Sequence, residues 1–286
     1  MTFLENIDKA NLKKILLVVI SVLTLAALAL LLVIIVMSIA PKAPEKPDME
    51  FKDYTVTDSD IQTGSLVLAD KDHPYTVDRT LLDLVDCQAF RDEKMELEQI
   101  SEKNYLPYKN MMLNKTAMEN AHKLLTDLRN SVTGAKPVTI DAAFDRIVYG
   151  GNEIEGYKTG LLMFLSDNSS DSGSYVALGD EYKTWLKSNA AKYGFVNDSE
   201  DAYRYVGEVH ASYMTRKKLS LADYVAYLKN NTNENKVLTV KVNGVEYSVY
   251  YVSCGSGDTV KVPADAEYTV SGTNEGGVVI TAKNSK

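Results

Sequence analysis

Apolar residues fall into three regimes along this chain. From Ile15 to Ala40, twenty-six consecutive residues carry no charge and nearly all are apolar. Between about Phe51 and Asn231 apolar residues recur mainly at helical spacing, and after Asn233 the period drops to two. In the middle regime Leu81, Leu82, Leu84, Val85 and Phe90 predict a helix over Asp78–Glu98. Met118, Ala121, Leu124, Leu125 and Leu128 predict another over Asn114–Arg129, with Asn114 as N-cap. Asp180–Tyr193 reads as a helix closed by Gly194 in the left-handed region, and Ser220 caps a last one, LADYVAYLKNN. Gly64–Ala69, Val138–Ile140, Lys158–Leu165 and Tyr203–Val206 read as strands, Ala142–Ile147 opens a helix, and Ser166–Ser174 is a polar loop. In the last regime Val237, Thr239 and Lys241, then Val245, Tyr247, Val249 and Tyr251, flank Asn243-Gly244, a hairpin signature. Strands at 258–262, 266–271 and 277–282 complete a small all-β module. The expected class is α+β.

The first regime matches a bilayer. A hydrocarbon core about 30 Å thick needs roughly 20 helical residues, and the run exceeds that without a polar stripe. Lys9, Lys13 and Lys14 precede it, which predicts a cytoplasmic N-terminus and the rest of the chain outside. A cleaved signal peptide is the competing reading, with Ser38-Ile39-Ala40 as a cleavage site. The run is long for a signal peptide and Pro41 is unfavourable after a cut. The expected layout is a cytoplasmic end at 1–14, a single-pass anchor at 15–40, a Pro-rich linker at 41–50, an α+β domain at 51–232 and the β module at 233–286.

Composition narrows the chemistry. Mean hydropathy is negative, which excludes several spans, and a net charge of −8 argues against nucleic acid as partner. Beyond residue 40 the imbalance is larger: removing Glu5 and Asp8 from 39 acidic residues, and three lysines from 31 basic ones, leaves −9. Three His and two Cys leave no His- or Cys-rich metal site. Cys87 and Cys254 read as separate thiols, although a disulfide is permitted outside the membrane.

Several blocks resemble one family. WLKSNAAKYGF (Trp185–Phe195), YRYVGEVHA (Tyr203–Ala211) and LSLADYVAYL (Leu219–Leu228) are similar, in order and spacing, to the VanY-type D-alanyl-D-alanine carboxypeptidases. YKTGLL (Tyr157–Leu162) resembles the segment around that family's first metal motif, and GSLVLADKDHPY (Gly64–Tyr75) its opening strand. The resemblance implies a D,D-peptidase-like fold, helices around a small antiparallel sheet, and a zinc enzyme that trims peptidoglycan stem peptides.

Such an enzyme needs two His and one Asp on zinc, a fourth position for water and a Glu to take the water's proton. Anchored on Thr159-Gly160, the first His position holds Tyr157 and the Asp position Phe164. Anchored on Tyr203–Gly207, the second His position holds Ala202 and the general-base position Ser199, with Glu200 one residue off register. The family's substrate-contacting Arg falls on Asp145, with Arg146 again one place off. Only seven residues separate Phe195 from Tyr203, so the family's longer catalytic hairpin is expected to be missing. His73 and His122 read as solvated or packed, and His210 as a structural hydrogen-bonder.

The resemblance therefore implies a scaffold with no catalytic residue and no zinc. Its binding candidates are Tyr157, Trp185, Tyr203, Arg204, Tyr205 and His210. The implied partners are the membrane through 15–40, and a peptidoglycan stem peptide or a cell-surface protein. Two other readings stand beside it: a working carboxypeptidase with relocated ligands, and a structural component of a surface assembly docked through the β module. Ser172-Gly173-Ser174 and Cys254–Gly257 read as turns, not nucleophiles. The tyrosines of VEYSVYYV read as cross-strand packing, with a ligand-stacking face as the sharper alternative.

Overall fold

A computed structural model of the chain describes residues 9–39, 49–100, 103–144, 155–167 and 176–284. It divides into two units, Met1–Ala43 and Pro44–Lys286. The first contains helix α1 (Lys9–Ile39). Its described side chains from Leu16 to Leu31 are all exposed. Among the described residues no helix is long and apolar enough to cross a membrane.

The second unit has two sheets that carry its architecture. One has the strand order β3 (Tyr105–Pro107), β5 (Val138–Ala142), β6 (Leu162–Asp167), β8 (Ala202–Tyr205) and β7 (Phe195–Ser199), with β4 (Met112–Asn114) pairing β2 (Leu84–Asp86) beside it. All pairs in the larger sheet are antiparallel except β3 with β5. One face packs on α3 (Cys87–Leu97), α4 (Lys115–Ser131) and α5 (Asp180–Asn189), around Tyr105, Met118, Leu125, Ile140, Met163 and Leu165. The α4 prediction corresponds closely. The Asn114 side chain accepts from the amides of Thr116 and Ala117, and all five apolar positions are buried.

The other sheet runs β12 (Tyr268–Gly272), β13 (Gly277–Lys283), β10 (Val245–Ser253) and β9 (Leu238–Val242). Asn243 (φ 50) and Gly244 (φ 83) make the β9–β10 turn, as the dipeptide requires. This sheet is covered on both sides. Val249, Tyr251 and Val279 meet α6 (Glu208–Lys217) and α7 (Leu221–Asn231), whereas Tyr250, Val278 and Ile280 meet β1 (Phe51–Thr55) and β11 (Thr259–Pro263). β1 pairs with β11, and α2 (Asp58–Gln62) lies against β12, where Thr63 O accepts from Gly272 N at 2.8 Å. The C-terminal strands thus share a core with the helices and take in the start of the unit.

Four local expectations differ from the structure. The helix expected from Asp78 begins only at Cys87, because Asp83 takes φ 42 and the Asp86 side chain caps Ala89 N. Gly64–Ala69 forms no ladder. Leu66, Val67 and Leu68 are buried, but Leu66 N donates to Ser271 Oγ and Leu68 N to Thr273 O. Ala142 ends β5 and opens no helix, while Asp145–Ile147 lie outside the described residues, as do Ser172–Ser174. The hairpin expected to be missing is present in shortened form as β7–β8, turned at Glu200 (φ 37) and held by Asn197 Nδ2 to Glu200 O. Helix α6 goes unpredicted by periodicity. Cys87 and Cys254 are both free, and burial pushes the Cys87 thiol up to about 12, which leaves it inert.

Candidate functional site

The positions that the motifs align with zinc chemistry come together in space. Ser199 pairs with Ala202 across β7–β8, Ala202 with Phe164 across β8–β6, and Phe164 with Ala142 across β6–β5. Residues directly opposite on neighbouring strands share a face, so the four make one row across the sheet. Tyr157 arrives from the 3₁₀ turn Glu155–Thr159 and joins Ala142, Leu162 and Ala202 in a small apolar cluster, with Phe164 packed against it. Ser199 remains exposed at the edge.

This row offers a metal very little. Tyr157 contributes a phenol, Phe164 a ring, Ala202 a methyl and Ser199 a hydroxyl, whereas zinc takes imidazole, thiolate and carboxylate. Burial, with the charges of Asp198 and Asp141, pushes the Tyr157 hydroxyl up to about 12, so it is a neutral phenol at ordinary pH. These residues do not fit a zinc ion. Among the described residues no three His, Cys, Asp or Glu side chains gather where they could hold a metal.

Strand alternation sorts the binding candidates. Arg204 lies two residues from Ala202, on the same face, opposite Leu162 and Val196. Tyr203 and Tyr205 point the other way. Tyr203 is buried in the helical core, with Trp185 packed on its edge. Tyr205 stands edge-on to Phe195 at 5.3 Å between centroids, and its hydroxyl accepts from Asn120 Nδ2. Of the six, only Tyr157 and Arg204 lie at the row; Trp185 and Tyr203 belong to packing, and Tyr205 packs on Phe195 while bordering a separate groove.

His210 is elsewhere again. It is buried on α6 between the Tyr224 hydroxyl (3.0 Å) and Thr281 Oγ1 (3.1 Å), tying α6 to α7 and β13. With Tyr205 it lines a separate groove of about 540 Å³ reaching Tyr268 and Lys283. His122 packs between Tyr105 and Glu98 on α4, and His73 bridges Asp70 and Glu275, both at 2.8 Å.

Beside the row is a cavity of about 550 Å³, lined by Leu68, Asp70, Gly156, Asp198, Arg204 and Leu221 among others. Arg204 is 3% exposed. Among the described residues its one hydrogen bond runs from Nη2 to Val67 O at 2.5 Å, and its Nε has no partner. Burial pulls its pKa down, against the opposing influence of Asp198, Tyr75 and Asp70; a guanidinium so placed stays charged. Sequence motifs flagged Arg204 but not its surroundings, because the segments enclosing it come from far along the chain.

The fold and this row of positions define a protein of D,D-peptidase shape. The architecture superposes on the vancomycin-resistance D,D-dipeptidase VanXYg, solved with a D-Ala-D-Ala phosphinate analogue, with a TM-score of 0.64 at 18% identity. That match covers 82% of this chain and all of the other. A looser likeness joins it to VanYB in complex with D-alanine-D-alanine, at TM-score 0.39 and 15% identity over 57% of this chain and 97% of that one. In sequence, 110 residues are 34% identical to a D-alanyl-D-alanine carboxypeptidase of Enterococcus faecium, 34% of this chain and 35% of the other. The chain thus spans about a third of the length of the curated relative it matches. In fold the chain is similar to that D,D-dipeptidase, and over those 110 residues its sequence is similar to that carboxypeptidase. No protein-family model matches it.

Proposed function

We propose that this chain is a membrane-anchored, VanY-like binding protein that holds a peptidoglycan stem peptide, or a protein partner at the cell surface, without zinc-dependent cutting. The observation that carries the reading is the row Ser199–Ala202–Phe164 with Tyr157 beside it. The positions that the family gives to metal and base are gathered here with side chains that do not bind zinc. The stem peptide's D-alanyl end is favoured as ligand because the relative of matching sequence is a D-alanyl-D-alanine carboxypeptidase, and the dipeptidase of matching fold is solved with a D-Ala-D-Ala analogue. The charge-free run from Ile15 to Ala40 and the lysines before it support a single anchor with the compact unit outside.

Purified full-length protein in detergent tests this directly. It is expected to carry no stoichiometric zinc, to release no D-alanine from a stem pentapeptide and to bind that peptide reversibly. Stoichiometric zinc together with D-alanine release would overturn the reading in favour of a working carboxypeptidase. Protease accessibility in intact cells tests the anchor, with residues beyond 50 expected to be cut from outside.

A further inference from the structure

A buried cation without a charge partner is costly, and natural proteins pair such groups or present them to a ligand. Arg204 has no ion pair among the described residues; its Nε is orphaned and its guanidinium lines the cavity. Gly156 borders the cavity beside it. A Cβ there would lie 3.8 Å from Arg204 Nη1 and 3.0 Å from Leu162 Cδ2. The cavity lies within the size range of small-molecule sites.

We propose that this cavity is a carboxylate site, in which the uncommitted N–H groups of Arg204 receive the acid end of a small, otherwise apolar molecule. A planar guanidinium matches a carboxylate, and such charge-assisted bonds are the strong ones. Asp70, Glu155 and Asp198 also border the cavity and outnumber its two cations, Arg204 and Lys71, so a doubly charged phosphate meets more repulsion than a single carboxylate. Leu68, Ala69 and Leu221 supply apolar wall for a short side chain. The inference deepens the stem-peptide reading by naming the group that holds the ligand's free end, and it places that group on β8, outside the segment around Asp145.

Calorimetric titration of the full chain with N-acetyl-D-alanine, its amide and inorganic phosphate tests the site. The acid is expected to bind and the amide and phosphate not to. Arg204→Gln is expected to weaken acid binding tenfold or more. Because Arg204 is buried, Asp198→Asn gives an independent arm. Asp198 is exposed, and removing its charge is expected to tighten acid binding severalfold. Equal binding of acid and amide, tighter binding of phosphate, or no response to Asp198→Asn overturns the proposal. If the acid binds but a stem pentapeptide does not, the carboxylate site stands and the stem-peptide reading falls.

Discussion

Ala202 lies directly opposite Phe164 across the β6–β8 ladder, with Tyr157 in contact at the same cluster. The motif alignment assigned these three positions from separate parts of the chain, and the fold makes them neighbours. The three side chains brought together are a methyl, a phenyl ring and a phenol, none of them a usual zinc donor. Placing donors at all three, as Tyr157→His with Phe164→Asp and Ala202→His, is expected to give a chain that binds zinc, read by metal analysis after dialysis. Any single substitution is expected to bind none and to lose stability, since each puts a polar group into an apolar cluster. A folded triple variant without zinc would mean that these positions do not form a ligand set.

His210 sets up a second test. Burial depresses its pKa from 6.5 to about 4, so the unfolded chain takes up a proton in a range where the folded one does not. Stability is therefore full above about pH 6.5 and is lost as pH falls towards 4, by an amount on the order of 3 kcal/mol. His210→Gln is expected to be less stable at pH 7, because the bonds to Tyr224 and Thr281 go. Its disadvantage should shrink as pH falls. Urea unfolding at pH 7, 5.5 and 4.5 checks this, and a constant gap would refute it.

Where local chemistry decides, the fold is legible from sequence. Asn114 caps α4 with its own side chain, and Asn243-Gly244 closes its hairpin with two positive φ values. Elements fixed by distant partners are not legible. Leu66–Leu68 is apolar enough for a strand, yet its amides go to Ser271 and Thr273, some two hundred residues on. β1 pairs with β11 over a similar separation, so nothing near Phe51 announces it. Helix α6 begins at Gly207 with no side-chain cap and lacks a local start signal. The site divides the same way. The row at Phe164 and Ala202 follows from motif spacing and Arg204 from its motif, but not its contact with Val67. The parity of β8 could have separated Tyr203 and Tyr205 from Arg204, since odd and even positions face opposite ways.

Two glycines should respond differently to alanine. At Gly272 a Cβ would sit 2.0 Å from Ile61 O, so the α2 segment must move off β12. Roughly 2–3 kcal/mol of destabilisation is expected. At Gly244 nothing lies within 4 Å of the added carbon, and only the positive φ of 83° opposes it; about 1 kcal/mol is expected. Chemical denaturation of Gly272→Ala and Gly244→Ala checks the order, and equal costs would mean that α2 is not seated on that strand.

His73 is expected to show the reverse pH dependence to His210. Burial pulls its pKa down, but the hydrogen bonds its ring donates to Asp70 and Glu275 outweigh it, and the net shift is upward. Glu275 is held below its usual range by Lys229 first and His73 second. The bonds from His73 and from backbone amides outweigh burial at Asp70, whose pKa is lowered. A raised histidine contributes stability that is complete below about pH 6.5 and is lost as pH rises through its folded value. The lowered carboxylates contribute above their ordinary values, near 4, and lose that as pH falls. The network tying residues 70–73 to the β12–β13 turn should thus be strongest around pH 5–6. Because these groups are partly exposed, its worth is under about 1 kcal/mol. His73→Gln is expected to cost most near pH 5.5 and almost nothing above pH 8, measured as the difference in unfolding free energy between variant and wild type. A cost that grows with rising pH would show that His73 acts there as a neutral spacer and not as a cation.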